Sequence, residues 1–231
     1  MIGGERDVFD KGSVILFQGD SITDGGRSRN EDWNHVLGHG YAYMIAARLG
    51  ADRPDKSFRF YNRGCSGHRV VDLYARWQED TLNLKPDVIS ILVGVNDVGH
   101  GIWGNAGVSA ERYEKVYQLM LEETVAALPK ARLVLCEPFI LPVGGVKDRW
   151  NDWKAEIDKN RRTVALLARQ FGAVHVPFQR VMDDACSKAG PEYWLWDGVH
   201  PMPAGHELMA RAWLSAISGG TRTKERSDDQ P

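Results

Sequence analysis

The chain has 231 residues, of which 43% are hydrophobic and 26% charged, and its formal net charge is −2. Those values describe one soluble domain of ordinary composition. They give no basic footprint for nucleic acid or anionic lipid, and no apolar run is long enough to span a bilayer.

Taken in order, residues 1–12 are a polar lead-in. They lack the basic, apolar and small-residue segments of a secretory signal, so a cytoplasmic location is expected. The first strand is expected from Ser13 to Phe17, ending in Gly19-Asp-Ser-Ile22. A long Gly- and Arg-containing loop, residues 24–40, leads to a helix over 41–49 that Gly50 should stop. Phe58 to Asn62 alternates like a strand, and the spacing of Val71, Trp77 and Leu82 predicts a helix over 68–84. Val88 to Val93 is an apolar run, the pattern of a strand buried on both faces. A Gly-rich segment to Gly107 follows, then an amphipathic helix over 109–128 capped by Ser109. Strands at 131–136 and 173–177 alternate with helices at 148–171, 179–188 and 203–217.

Strands that alternate with helices in this way predict an α/β fold, a three-layer α/β/α sandwich with a five-stranded parallel sheet. The domain is expected over 13–217, with a disordered polar tail over 218–231. Cys65, Cys136 and Cys186 are odd in number and far apart, so they describe neither a disulfide framework nor a metal site. No metal or cofactor is expected.

In a parallel sheet the turns after the first three strands share one edge, where open α/β sheets bind ligands. That edge would collect Ser21, Gly64 and Asn96. Ser21 could simply cap a turn, since Ser21-x-x-Asp24 fits a capping pattern. Alternatively it is a nucleophile, which needs a base, a group to orient that base, and donors for the developing oxyanion. Asp197 and His200, three residues apart ahead of the last helix, can supply the acid and the base. The Ser21 amide, the Gly64 amide and the Asn96 carboxamide can supply the donors. Gly64 lets backbone approach closely, and Asn96 offers uncharged N–H groups.

The ordered blocks Gly19-Asp-Ser-Ile22, Asn62-Arg-Gly-Cys-Ser-Gly67, Gly94-Val-Asn-Asp97 and Asp197-Gly-Val-His-Pro201 closely resemble the SGNH hydrolases, also called the GDSL esterases. Ile22 stands where the family name has Leu, a volume-conserving difference. The resemblance spans about residues 13–217 and implies a flavodoxin-like fold. It implies Ser21 as nucleophile, an Asp197–His200 pair beside it, and an oxyanion hole of Ser21, Gly64 and Asn96.

Wider phrases, including Ala75-Arg-Trp-Gln-Glu-Asp80 and Ala204-Gly-His206, are most similar to acetyl xylan esterases. They imply removal of O-acetyl groups from a small carbohydrate through an acetyl-enzyme. Asp20, Trp103 and Trp196 are candidate substrate contacts, the tryptophans because they lie in or beside loops at the site's edge, Trp196 next to Asp197, where flat apolar faces can stack on sugar rings. A lipid or thioester hydrolase and a non-catalytic glycan-binding protein are the alternatives. The aromatic-rich surface makes a homo-oligomer the expected assembly.

Overall fold

The computed structural model describes residues 9–30 and 32–219. Five strands form one parallel sheet: β1 (Val14–Gly19), β2 (Arg59–Asn62), β3 (Val88–Leu92), β4 (Arg132–Cys136) and β5 (Val174–Val176), in the order β2-β1-β3-β4-β5. The helices are α1 (Ser21–Asp24), α2 (Tyr41–Asp52), α3 (Val70–Ala75), α4 (Trp77–Asp80), α5 (Val95–Ile102), α6 (Ala110–Ala127), α7 (Gly144–Asp148), α8 (Trp150–Gln170), α9 (Phe178–Ala185), α10 (Pro191–Trp194) and α11 (Pro203–Gly219).

Strict alternation along the central strands creates the two outer layers. Ile15 and Phe17 of β1, Val88 and Leu92 of β3, and Val134 and Cys136 of β4 enter one core with Tyr41, Phe178 and Trp213. Ile89 and Ile91 of β3 and Leu133 and Leu135 of β4 enter the other, against Val70, Trp77, Tyr113, Tyr117 and Leu167. Both faces are therefore covered, which is why β1 and β3 read as nearly continuous apolar runs. Several polar groups within these layers are paired, while Tyr117 Oη and Trp153 Nε1 have no partner among the described residues. Trp213 Nε1 donates to Ser90 Oγ at 3.0 Å, Trp77 Nε1 to Thr124 Oγ1 at 3.0 Å, and Gln18 Nε2 to Thr81 Oγ1 at 2.8 Å. Cys136 is wholly buried, and that burial pushes its thiol up to about 12, as suits a core residue.

Three elements differ from the sequence expectation. Gly50 does not stop α2, which runs on to Asp52, just before Pro54. The helix expected over 68–84 is broken at Arg76 into α3 and α4, with a further 3₁₀ turn at Leu82–Leu84. The Gly-rich segment after β3 contains a full helix, α5. The expected tail beyond Gly219 and the first eight residues lie outside the described part, while residues 218 and 219 belong to α11.

Candidate active site

The carboxyl ends of β1, β2 and β3 deliver three turns to one place. β1 stops at Gly19, and Ser21 opens α1 two residues later. The first amides of a helix have no partner within it, so Ser21 presents both a hydroxyl and a free N–H at this edge. After β2, the Asn62 carboxamide knits the second turn to the first. Its Nδ2 donates to the carbonyls of Thr23 at 2.6 Å and Leu37 at 2.9 Å, while its Oδ1 accepts from the Gly64 amide at 2.9 Å. After β3, Asn96 lies in the first turn of α5. Its Nδ2 donates to the His68 carbonyl at 3.1 Å, which orients the carboxamide and leaves its second N–H available.

The segment after α10 closes on itself. Leu195 and Pro201 form an antiparallel bridge, and the Trp196 amide donates to the His200 carbonyl at 3.2 Å. Inside this loop Asp197 Oδ1 accepts from the amides of Val199 at 2.9 Å and His200 at 2.7 Å. Its Oδ2 lies 2.6 Å from His200 Nδ1, and His200 Nε2 lies 2.8 Å from Ser21 Oγ. With Asp197 ionised, the ring proton sits on Nδ1 and Nε2 accepts from the Ser21 hydroxyl.

The electrostatics agree with that tautomer. The hydrogen bond to Asp197 raises the His200 imidazole above its ordinary value, against the opposing effect of burial. Burial works to raise the Asp197 carboxyl, but the bonds from His200 and the two amides outweigh it and hold it below the usual carboxylate range.

Two expected roles do not survive the geometry. The Gly64 amide is committed to Asn62 Oδ1, and a Cβ at Gly64 would lie 2.3 Å from the Asp24 amide nitrogen. Gly64 therefore serves close packing against α1 and is not an open donor. Gly67, three residues on, has φ +81°, open space where a Cβ would stand, and an amide without a partner among the described residues. It lies between Ser66, bonded to Asp24, and His68, bonded to Asn96.

Asp20, expected to touch substrate, is only 1% exposed. Its Oδ1 caps α1 by accepting from the Ile22 amide at 3.0 Å, and burial pushes its carboxyl up to about 7. Its other oxygen has no partner among the described residues. Asp97, which sequence reasoning passed over, is a second buried acid at this edge. It accepts from the Val70 amide, and burial likewise pushes it up to about 7.

The tryptophans divide. Trp153 and Trp194 belong to the core, whereas Trp103 and Trp196 are 61% and 65% exposed. Trp196 stacks on the His200 ring, with centroids 6.3 Å apart and an interplanar angle of 28°. Trp103 packs edge-on against Trp153 and beside Gly145, next to Gly144, which abuts the Asp197 backbone. Among the described residues no group of three or more His, Cys, Asp or Glu side chains is placed to hold a metal ion, and no helix is long and apolar enough to cross a membrane.

Comparison with known proteins gives this arrangement its context. Residues 17–208 match the GDSL-like Lipase/Acylhydrolase family. The chain belongs to that family. This hydrolase is 35% identical to an acetylxylan esterase of Geobacillus stearothermophilus over 214 residues, covering 89% of this chain and 94% of the relative. The crystal structure of Axe2, an acetylxylan esterase from the same organism, superposes with a TM-score of 0.82 at 33% identity, over 91% of this chain and 96% of that one. A Parabacteroides merdae protein assigned as a GDSL-like lipase gives a TM-score of 0.86 at 40% identity, over 92% and 98% of the two chains. The five-stranded parallel sheet is the fold of these relatives, and the chain is a carboxylic ester hydrolase.

Proposed function

We propose that this esterase removes O-acetyl groups from short acetylated carbohydrates, such as xylo-oligosaccharides, through an acetyl-serine intermediate. The observation that carries the chemistry is the unbroken run from Asp197 Oδ2 through His200 to Ser21 Oγ, with steps of 2.6 and 2.8 Å. Ser21 Oγ attacks the acetyl carbon while its proton passes to His200 Nε2, and Asp197 stabilises the imidazolium. The carbonyl oxygen, now negative, lies among the Ser21 amide, the Gly67 amide and the Asn96 carboxamide. Collapse breaks the ester C–O bond, and the departing sugar oxygen takes the proton back from Nε2. A water molecule then gives its proton to His200 and attacks the acetyl-serine. Acetate leaves as Ser21 recovers its hydrogen.

The acetylated-carbohydrate reading draws on the likeness to the Geobacillus acetylxylan esterase and on the site's open aromatic rim. His200 keeps 40% of its side chain accessible and the exposed face of Trp196 stacks beside it, a surface on which sugar rings can stack, with Trp103 a second exposed aromatic face. A bulky alcohol fits such an edge, and the acyl group needs little room. The exposed faces of Trp33 and Tyr193 support self-association as a second use of aromatic surface.

The test is acetate release from acetylated xylo-oligosaccharides, alongside nitrophenyl esters of increasing acyl length. Activity should be highest on acetate, and Ser21→Ala should abolish both turnover and labelling by a fluorophosphonate. Rates rising from acetate to octanoate would overturn the acetyl assignment in favour of a lipid or thioester hydrolase.

A further inference from the structure

Asp24 closes the single helical turn that Ser21 opens, and only 3% of its side chain is accessible. Its carboxylate accepts five hydrogen bonds. Oδ1 receives the Arg27 amide at 3.1 Å and Arg29 Nη1 at 2.8 Å; Oδ2 receives Arg29 Nη2 at 2.6 Å, the Ser66 amide at 3.1 Å and Ser66 Oγ at 3.0 Å. Every neighbour is a donor, so only an ionised carboxylate satisfies them all. The charge is held accordingly. Burial works to raise this carboxyl, but the bonds from Arg29 and Ser66 outweigh it and keep Asp24 below the usual carboxylate range.

These bonds fasten the residue that immediately precedes Gly67. A glycine at φ +81° can adopt many other conformations once its flanking peptides are released. On its far side the chain is pinned by the His68 carbonyl, which accepts from Asn96, and by the His68 amide, which donates to the Cys65 carbonyl at 3.2 Å. On its near side the two bonds to Ser66 both end on Asp24.

We propose that Asp24 is a positioning residue: through Ser66 it fixes the Gly67 amide relative to Ser21, so that nucleophile and oxyanion donor move as one unit. The inference rests on the assignment of Gly67 as a donor in the proposed reaction. Asp24→Asn replaces one acceptor oxygen with an NH₂ group facing donors, whichever way the amide turns.

The experiment measures kcat per fluorophosphonate-titrated site, KM on nitrophenyl acetate, and the thermal midpoint. Because a misplacement of about 1 Å costs about 10²-fold, Asp24→Asn should lower kcat per site by about 10- to 10²-fold, with KM within about threefold of the parent. A fold defect would instead reduce the titratable fraction and leave kcat per site alone. A folded Asp24→Asn enzyme with kcat per site reduced less than tenfold overturns the proposal.

Should that variant not fold, Ser66→Ala decides. It removes one bond to Asp24 and should lower kcat per site by about three- to tenfold, the worth of one net hydrogen bond. A smaller loss overturns the proposal. If Ser21→Ala kept its activity, the serine mechanism itself would fail, a result separate from either of these.

Discussion

The side of the site that holds the proposed nucleophile and the side that holds the proposed base are built by different means. Ser21, Gly67 and Asn96 stand at the ends of β1, β2 and β3, and the Asn62 and Asp24 side chains tie the first two turns together. Their relative positions follow from strand register and the cores beneath. Asp197 and His200 instead belong to a loop whose polar bonds are mostly internal, through the Leu195–Pro201 bridge and the bonds of Asp197 Oδ1 to the two following amides. The loop is anchored by the buried Leu195 and Val199 in the core and by the Leu141 amide, which donates to the Gly198 carbonyl at 3.0 Å in the loop beyond β4. The proposed donors are thus placed by strand ends, whereas the proposed base is oriented by four consecutive residues seated on the core.

The sharpest way to break this contrast is to damage the self-contained loop from within. Asp197→Asn should lower kcat by about 10⁴-fold, because the imidazole loses its tautomer and its counter-charge. In the same variant the His200 imidazole should titrate lower, since the Asp197 bond is what raises it. The sign matters for activity. His200 must be neutral to accept the serine proton, so kcat/KM should fall as pH drops through its raised value, above about 6.5. Proton NMR of His200 in the parent and in Asp197→Asn checks this, and an unmoved titration would separate the histidine from the aspartate.

On the sheet side the loss should be smaller. Asn96→Ala removes one of three donors and should cost about 10²- to 10³-fold in kcat, with the pH profile unchanged. A kcat within twofold of the parent would remove Asn96 from the oxyanion hole.

Beneath the sheet-end turns, His206 of α11 offers a stability test independent of chemistry. It is 7% exposed, its Nδ1 accepts from the Tyr41 amide at 3.2 Å, and burial depresses its value to about 4. The unfolded chain then binds more protons than the native one between pH 6.5 and about 4. Stability from this residue is complete above that window and is lost as pH falls through it, by roughly 3 kcal/mol in all. Denaturant unfolding of His206→Gln should show a correspondingly flatter acid slope.

The smallest effect belongs to the rim. Trp196→Ala should raise KM for acetylated xylo-oligosaccharides by roughly three- to tenfold, the worth of an aromatic contact, while sparing KM for nitrophenyl acetate. Equal losses on both substrates would make Trp196 a support for His200 and not a sugar platform.

Much of this was legible in the residues. The apolar runs of β1, β3 and β4 announce buried parallel strands, and the Asp197–His200 spacing foretells a loop compact enough to bond internally. What escaped depends on tertiary packing. α5 starts at β-branched Val95 and contains Gly99 and Gly101, poor helix formers, yet it is held by α8, where Asn160 Nδ2 donates to the Gly94 carbonyl at 3.1 Å and Trp153 crowds Gly99. The break between α3 and α4 has a similar origin. At the junction, Arg76 donates to His68 Nδ1 and to the Gly19 carbonyl. The choice between Gly64 and Gly67 turns on which amide Asn62 occupies, and no spacing rule reveals that. Asp20 misled for the opposite reason. Its place beside Ser21 in the chain suggested contact with substrate, while the helix it caps turns it inward.

Asn96 also lies in the first turn of an eight-residue helix, whose unpaired amides make that end partly positive. Such an end favours negative oxygen whether it belongs to a fleeting tetrahedral adduct or to a finished carboxylate. The site that speeds ester cleavage is therefore also a weak receptor for its own product, and the escape of the carboxylate becomes a step in the cycle with its own rate.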